Sequence, residues 1–408
     1  MLSTHKNTLL WKVWYVKIVF LNDLHPHTSP GAASIAHALA EEASKHHLVE
    51  FWCSNIIGVP LPNNSQISIK VRQISRGRAR KMEAGLLRRL YFELVGIREL
   101  VWVVRQLICS RPTHIWFHQI GNRFPKVLIP ACRYLGISTI TTLHDFGTLL
   151  GRKLYPNDFG WRDQDVGDHI NRIDLERPTI IHGRKPQDQL LRIRKQIVKI
   201  YLNTSLSLVC ISQLQEKILK ESGLDVTSVI SNGVDKCICD SKPRSTEGKF
   251  HVLFAGRPNA KGLELLAQAV SKDPNSHLHL AGSNSLIEIV DQYLDSNQYT
   301  FHGTLSLMEI YNLIHKVDLV SVISQCFDVY PTITIEAIAH GCPVLTTPLT
   351  GNSNLVSEIS PELVLPFAVE PNLSRINTVV AQRPMLHSMI FTVSDTWKRY
   401  EEILIQIS

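Results

Sequence analysis

The chain is 408 residues long, 44% apolar and 19% charged, with a net charge of +7 at neutral pH. That length exceeds what one hydrophobic core usually serves, so two domains are expected, and the composition is that of a soluble globular protein. The positive balance suits an anionic ligand or surface but is too weak to argue for a nucleic-acid partner.

The apolar run from Leu9 to Leu21 is interrupted by Lys12 and Lys17 and is too short to span a bilayer. Val16 to Leu21 reads instead as a buried first strand, running on to Asn22. A helix over Ser34–Ser44 and strands over Leu48–Ser54, His114–His118, Ser138–Leu143, Leu206–Ser212 and Ser228–Ser231 follow. Asn232-Gly233-Val234-Asp235 reads as a turn, and the polar stretch to Gly248 as an interdomain linker. A fresh series then begins, with strands over Phe250–Ala255, His277–Ala281, Tyr299–His302, Leu319–Ile323 and Val344–Thr347, and helical spacing over Ser394–Ile407. Short apolar strands alternating with helices give α/β domains with parallel sheets, two Rossmann-like halves facing each other across a cleft. The expected boundaries are 1–236, a linker at 237–248, a second domain at 249–386 and a terminal helix at 387–408. The eight cysteines hold no CxxC pair, Cys237 and Cys239 coming closest, so reduced thiols in the cytoplasm are the plain reading. The Asn-x-Ser/Thr triplets at Asn63, Asn203 and Asn372 then carry no meaning.

Asp328 and Glu336 stand eight positions apart with Pro331 between them, where a loop gives way to a helix. Proline is tolerated in the first turn, and the N–H groups of Thr332, Ile333 and Thr334 beyond it are free to hold an anion. Glu336 is suited to accept hydrogen bonds from a pair of sugar hydroxyls, while Asp328 on the loop reaches a second ring. Upstream, Gly256-Arg257-Pro258-Asn259-Ala260-Lys261-Gly262 follows a strand and opens a helix. Glycine admits a phosphate close to the backbone, and Arg257 and Lys261 can share the charge of a diphosphate. Two cations at a helix start are as often merely solvated. The preceding strand and the acidic segment downstream favour phosphate here.

These residues resemble the retaining glycosyltransferases of the group 1, or family 4, type, which have the GT-B fold. That family carries two glutamates separated by seven residues, then Ala and Gly-x-Pro-Val. Here Glu336, Gly341, Pro343 and Val344 match, and the first acid is shortened to Asp328. The Gly-Arg…Lys-Gly loop also matches, with a spacer one residue short. His144-Asp145 looks like the family's His-Asp pair, whose histidine sits beside the donor sugar; the alternative is a histidine satisfied by an Asp145 cap. In the first-strand loop, His25-Pro-His27-Thr-Ser-Pro30-Gly31, only Gly31 remains of the family's glycines and is carried over as donor-binding. His25, His27 and His118 read as structural. Ser212 and Ser324 match family serines near the cleft, though such serines also cap helices.

The resemblance implies a sugar moved from a nucleoside diphosphate to a hydroxyl acceptor with retention of configuration. It implies no cofactor beyond the donor, UDP-sugar by family frequency, and a glycan or lipid-linked acceptor. Arg257, Lys261, Asp328 and His144 would be catalytic, and Gly256, Pro331, Thr332, Ile333, Thr334 and Glu336 donor-binding. No metal is implied, and Asp163-Gln164-Asp165 reads as a solvated loop. The rival is a nucleotide-sugar-binding partner that no longer transfers, motivated by Asp328 and the thinned glycine loop. Two basic segments, Arg76–Arg89 and Arg184–Lys199, interleave cations with leucine and isoleucine, as either solvated faces or contacts with an anionic membrane surface at the inner face of the plasma membrane.

Overall fold

The computed structural model describes residues 16–26, 31–60, 66–83, 85–150, 185–234, 248–258, 261–382 and 392–407. The first half runs β1 (Lys17–Leu24), α1 (Ala32–Ala43), β2 (Leu48–Ile56), β3 (Ser68–Ile74), α2 (Arg76–Glu83), α3 (Leu86–Leu94), α4 (Ile97–Ser110), β4 (His114–Phe117), α5 (Leu128–Tyr134) and β5 (Ser138–Leu143). The single turn α6 (Gly147–Leu150), α7 (Lys185–Asn203), β6 (Ser207–Cys210), α8 (Gln213–Glu221) and β7 (Ser228–Val229) complete it. The second half runs β8 (Phe250–Ala255), α9 (Leu263–Lys272), β9 (Ser276–Ala281), α10 (Ser285–Val290), β10 (Tyr299–Phe301), α11 (Leu307–Ile314), β11 (Leu319–Val322) and α12 (Thr332–Ala339). It closes with β12 (Val344–Thr346), α13 (Ser353–Ile359), α14 (Leu373–Ala381) and α15 (Val393–Ile407).

The strands form a sheet of order β3-β2-β1-β4-β5-β6-β7 and another of order β10-β9-β8-β11-β12. Every pairing in both is parallel. Each sheet reverses direction beside its first strand, between β1 and β4 and between β8 and β11. Loops leaving the carboxyl ends of neighbouring strands diverge there and open a crevice. Central strands are buried on both faces, which is why β1 and β4 read as nearly unbroken apolar runs.

One apolar cluster sits on each face of the first sheet and another in the second half. The first of these is shared: Phe327, Val329, Tyr330 and Ile335 of the second half pack with Phe146, Leu143 and Val234 of the first. Helix α15 lies on the other face, where Trp397 and Tyr400 join Ile18, Phe20 and Trp116. The Tyr400 hydroxyl is 3.2 Å from Thr142 Oγ1, so its polar end is also satisfied. Burying two such aromatics is worth about 2–3 kcal/mol each, enough to hold a terminal helix.

Several expectations shift. β1 runs past the expected end at Asn22 to Leu24, the Asp23 N–H donating to the Gln119 carbonyl at 2.7 Å. β3 was not anticipated: its Lys70 and Arg72 dilute the apolar pattern of an edge strand. The Asn232–Asp235 turn is corrected for its described part, since Val234 makes a parallel bridge to Thr392. Arg76–Arg89 is two helices, Gly85 capping α3 with φ +69°. Asp235, Cys237, Cys239, Asp163, Asp165, Arg184 and most of the expected linker lie outside the described residues.

Candidate active site

The loop after β8 carries Gly256, Arg257 and Lys261. Gly262, at φ +77°, caps α9. A side chain there would place its Cβ 2.2 Å from the Ile323 carbonyl oxygen at the end of β11. The glycine therefore lets the two crevice loops touch, and Lys261 forms an ion pair with Asp328, both side chains about a quarter exposed (28% and 19%). Ser324 Oγ lies 3.4 Å from the same carboxylate oxygen. Asp328 is fixed through its backbone: its N–H donates to the Leu349 carbonyl at 2.9 Å and its carbonyl accepts from Gly351 at 2.8 Å. Gly351 has no room for a side chain, since a Cβ would come within 1.7 Å of the Val329 carbonyl.

Three residues further on, Pro331 is the cap of α12 rather than a residue of its first turn. Of the three amides expected to face an anion, that of Thr334 instead donates to the Pro331 carbonyl at 3.2 Å. Thr332 and Ile333, the first residues of α12, lie too early for intrahelical acceptors. Glu336 is half-buried one turn in; burial pushes its carboxyl up to about 7, against a hydrogen bond from the Thr332 hydroxyl.

His144 follows β5 directly. Its Nε2 lies 3.0 Å from Nδ1 of His118, which is buried at the end of β4 and stacked on Trp116 and Phe20. Burial lowers His144 to about 4 against the pull of Asp145, so the ring is neutral near pH 7. Asp145 itself caps α6, accepting from the Thr148 N–H at 2.7 Å and hydroxyl at 3.0 Å. Asp145 is thus a cap, but the hydrogen-bonding partner of His144 is His118 and not Asp145.

One cavity of about 220 Å³ gathers residues from both halves: His144, Asp145 and Phe146 on one side, Lys261, Phe327 and Asp328 on the other. Gly31, Gly256, Arg257, Pro331, Thr332, Ile333, Thr334 and Glu336 are outside that wall. Arg257 is exposed, and Gly31 caps α1 at φ +93° with open space around it. His27 and Pro30 lie outside the described residues. A second cavity, about 340 Å³, lies along the same border between Ser212, Asn232, Tyr330, Ile335, Asn354 and Arg399. Ser212 Oγ accepts from the Gln215 N–H at 3.2 Å and so caps α8. Among the described residues no group of three or more His, Cys, Asp or Glu is placed to hold a metal ion.

Sequence reasoning missed the charged groups beneath the first sheet's crevice. The Asp23 carboxylate accepts from the N–H groups of Asn122, Arg123 and Phe124 at 2.7, 3.0 and 2.8 Å, and burial lifts it to about 6. An acid closing an apolar strand was a usable signal. Glu93, Lys126 and Arg194 form a buried cluster with no local signal, since they come from α3, the loop before α5 and α7. Arg194, read from the sequence as part of a surface basic segment, is 3% exposed.

Residues 239–390 match the family model of the glycosyl transferases group 1. This region is a group 1 glycosyl transferase domain. It is 30% identical over 167 residues to the O-antigen biosynthesis glycosyltransferase WbnH of Escherichia coli, an alignment covering 39% of this chain and 47% of that protein. The chain thus spans about half the length of the curated relatives it matches. The whole fold is similar to that of Anabaena HepE in complex with UDP and glucose, with TM-score 0.64 and 17% identity over 96% of this chain and 100% of that one. Sucrose-phosphate synthase from Thermosynechococcus elongatus gives TM-score 0.68 and 15% identity over 96% and 98%. The group 1 domain is therefore the second half of a GT-B fold, with the cleft between its two parallel sheets.

Proposed function

We propose that the protein moves a sugar from a nucleoside diphosphate to a hydroxyl acceptor, with retention of configuration and no required metal. The observation that carries this reading is the cavity that His144 of the first half shares with Lys261 and Asp328 of the group 1 domain. The diphosphate lies along the carboxyl edge of the second sheet. There Lys261, Arg257 and the amides of Thr332 and Ile333 neutralise charge as it builds on the leaving group. The entering phosphate competes with Asp328 for the Lys261 ammonium and frees that carboxylate for the sugar hydroxyls. Glu336 accepts from the ribose. His144 is neutral, so it can hydrogen-bond the sugar near the reacting carbon without adding charge. The departing phosphate takes the acceptor's proton on the same face of the ring.

A hexose on UDP is the favoured donor, supported by the HepE complex with UDP and glucose. A glycan or lipid-linked acceptor is supported by the O-antigen role of WbnH. No helix among the described residues is long and apolar enough to cross a membrane. Exposed Leu87, Arg88 and Tyr91 on α3 support contact with an anionic membrane at the cytoplasmic face.

The test is a panel of labelled UDP, GDP and ADP sugars read by thermal shift and by release of free sugar. A cognate donor at 100 times its dissociation constant stabilises by about 2.7 kcal/mol, and slow hydrolysis accompanies binding. Binding with neither hydrolysis nor transfer would leave a non-catalytic nucleotide-sugar-binding partner. No binding across the panel would remove both readings.

A further inference from the structure

Beneath the His144 turn lies a closed set of charges. Arg194 of α7 donates from Nε to Glu93 at 2.9 Å and from Nη2 to the other oxygen of that carboxylate. The same guanidinium reaches the carbonyls of Leu149 at 2.5 Å, Thr148 at 3.2 Å and Gly147 at 3.4 Å. Lys126 pairs with Glu93 as well, and its N–H donates to the Glu93 carbonyl at 2.7 Å. Glu93, Lys126 and Arg194 are each less than 5% exposed.

A four-residue helix is a single turn, too short to be stable by itself, so α6 depends on its caps. Asp145 holds its start and Arg194 its carbonyls, and His144 is the residue just before that start. We propose that Arg194 is a positioning residue for sugar transfer, clamping the α6 turn onto Glu93 so that His144 faces the interdomain cavity. The inference rests on the proposed role of His144. Lysine cannot replace it, because one ammonium lacks the planar fork that spans a carboxylate and three carbonyls. The groups proposed for the diphosphate and the ribose belong to the other half of the molecule, and the clamp reaches only His144 at the sugar, so it acts on turnover more than on nucleotide affinity.

Arg194→Lys in the full chain tests this, with Glu93→Gln read the same way should the first variant fail to fold. Turnover, donor KM and nucleotide affinity are measured beside the imidazole titration of His144 by NMR, the titratable groups around that ring being His118, Asp145 and, across the cavity, Lys261 and Asp328. Expected are a kcat at least 10-fold lower, a donor KM within threefold, and a His144 midpoint moved up from about 4 toward the ordinary value. A His144 signal that does not move, or a moved signal with unchanged kcat, overturns the proposal. If the parent shows no transfer yet His144 moves in the variant, the clamp stands and the functional reading falls.

Discussion

Lys261 and Arg257 are unequal in the folded protein, which their sequence neighbourhood did not show. Lys261 lines the cavity and is paired with Asp328, whereas Arg257 is exposed and outside that wall. Lys261→Ala is expected to lower turnover by roughly 10²–10³, about 3–4 kcal/mol of barrier, and Arg257→Ala by less. Steady-state kinetics with a cognate donor decide this, and a Lys261→Ala turnover within threefold of the parent would remove Lys261 from the site. Glu336 gives a pH signature. Its carboxyl titrates near 7 because burial disfavours the charged form. In the proposed ribose-binding role the ionised Glu336 is the acceptor of both hydroxyls, so nucleotide affinity should rise as pH climbs through 7 and flatten above 8. Glu336→Gln should bind more weakly and lose that slope, as calorimetry at pH 6 and 8 would show.

At the scale of elements, the site depends on two loops leaving adjacent strands and approaching more closely than side chains allow. Gly262 touches the end of β11, and Gly351 touches the segment that carries Asp328. Gly262→Ala adds left-handed strain to a backbone clash and should destabilise by about 2 kcal/mol or more. Urea unfolding measures this, and a midpoint equal to the parent's would show that the loop relaxes freely. Donor affinity should fall in the same variant, because Lys261 is the residue just before the displaced cap.

Over the whole molecule, histidines dominate the response to acid. Burial lowers His114 and His144 to about 4, His279 to about 3 and His118 well below its ordinary value. The unfolded chain therefore binds protons that the folded one refuses between about pH 6.5 and 4, and stability is lost as pH falls through that window. One such group accounts for about 2 kcal/mol between pH 7 and 5. Asp23 and Glu336, raised to about 6 and about 7, act in the opposite sense, since the folded state takes up their protons first. His47, His277, His302 and His340 are lowered in the same sense, so the histidines outweigh the two raised carboxylates and the protein is expected to be less stable at pH 5 than at pH 7. Urea titrations at the two pH values measure it, and equal stability would contradict these burials.

Strand order along the chain, the alternation with helices and the short motifs were legible in the residues, because each depends on neighbours a few positions apart. Ser138–Leu143 and Phe250–Ala255 were located to the residue, and the Lys261 and Asp328 loops were recognised from local spacing. What remained hidden is set by contacts between distant positions. The His118–His144 pair is 26 residues apart, and Arg194 reaches Glu93 across 101. A run of cations looks the same on paper whether it faces water or a carboxylate. Only the packing of α7 against α3 made Arg194 an interior group, and only the closeness of β8 to β11 turned two separate motifs into one ion pair. Burial and proximity fix charge and reach, and neither exists until the chain has closed on itself.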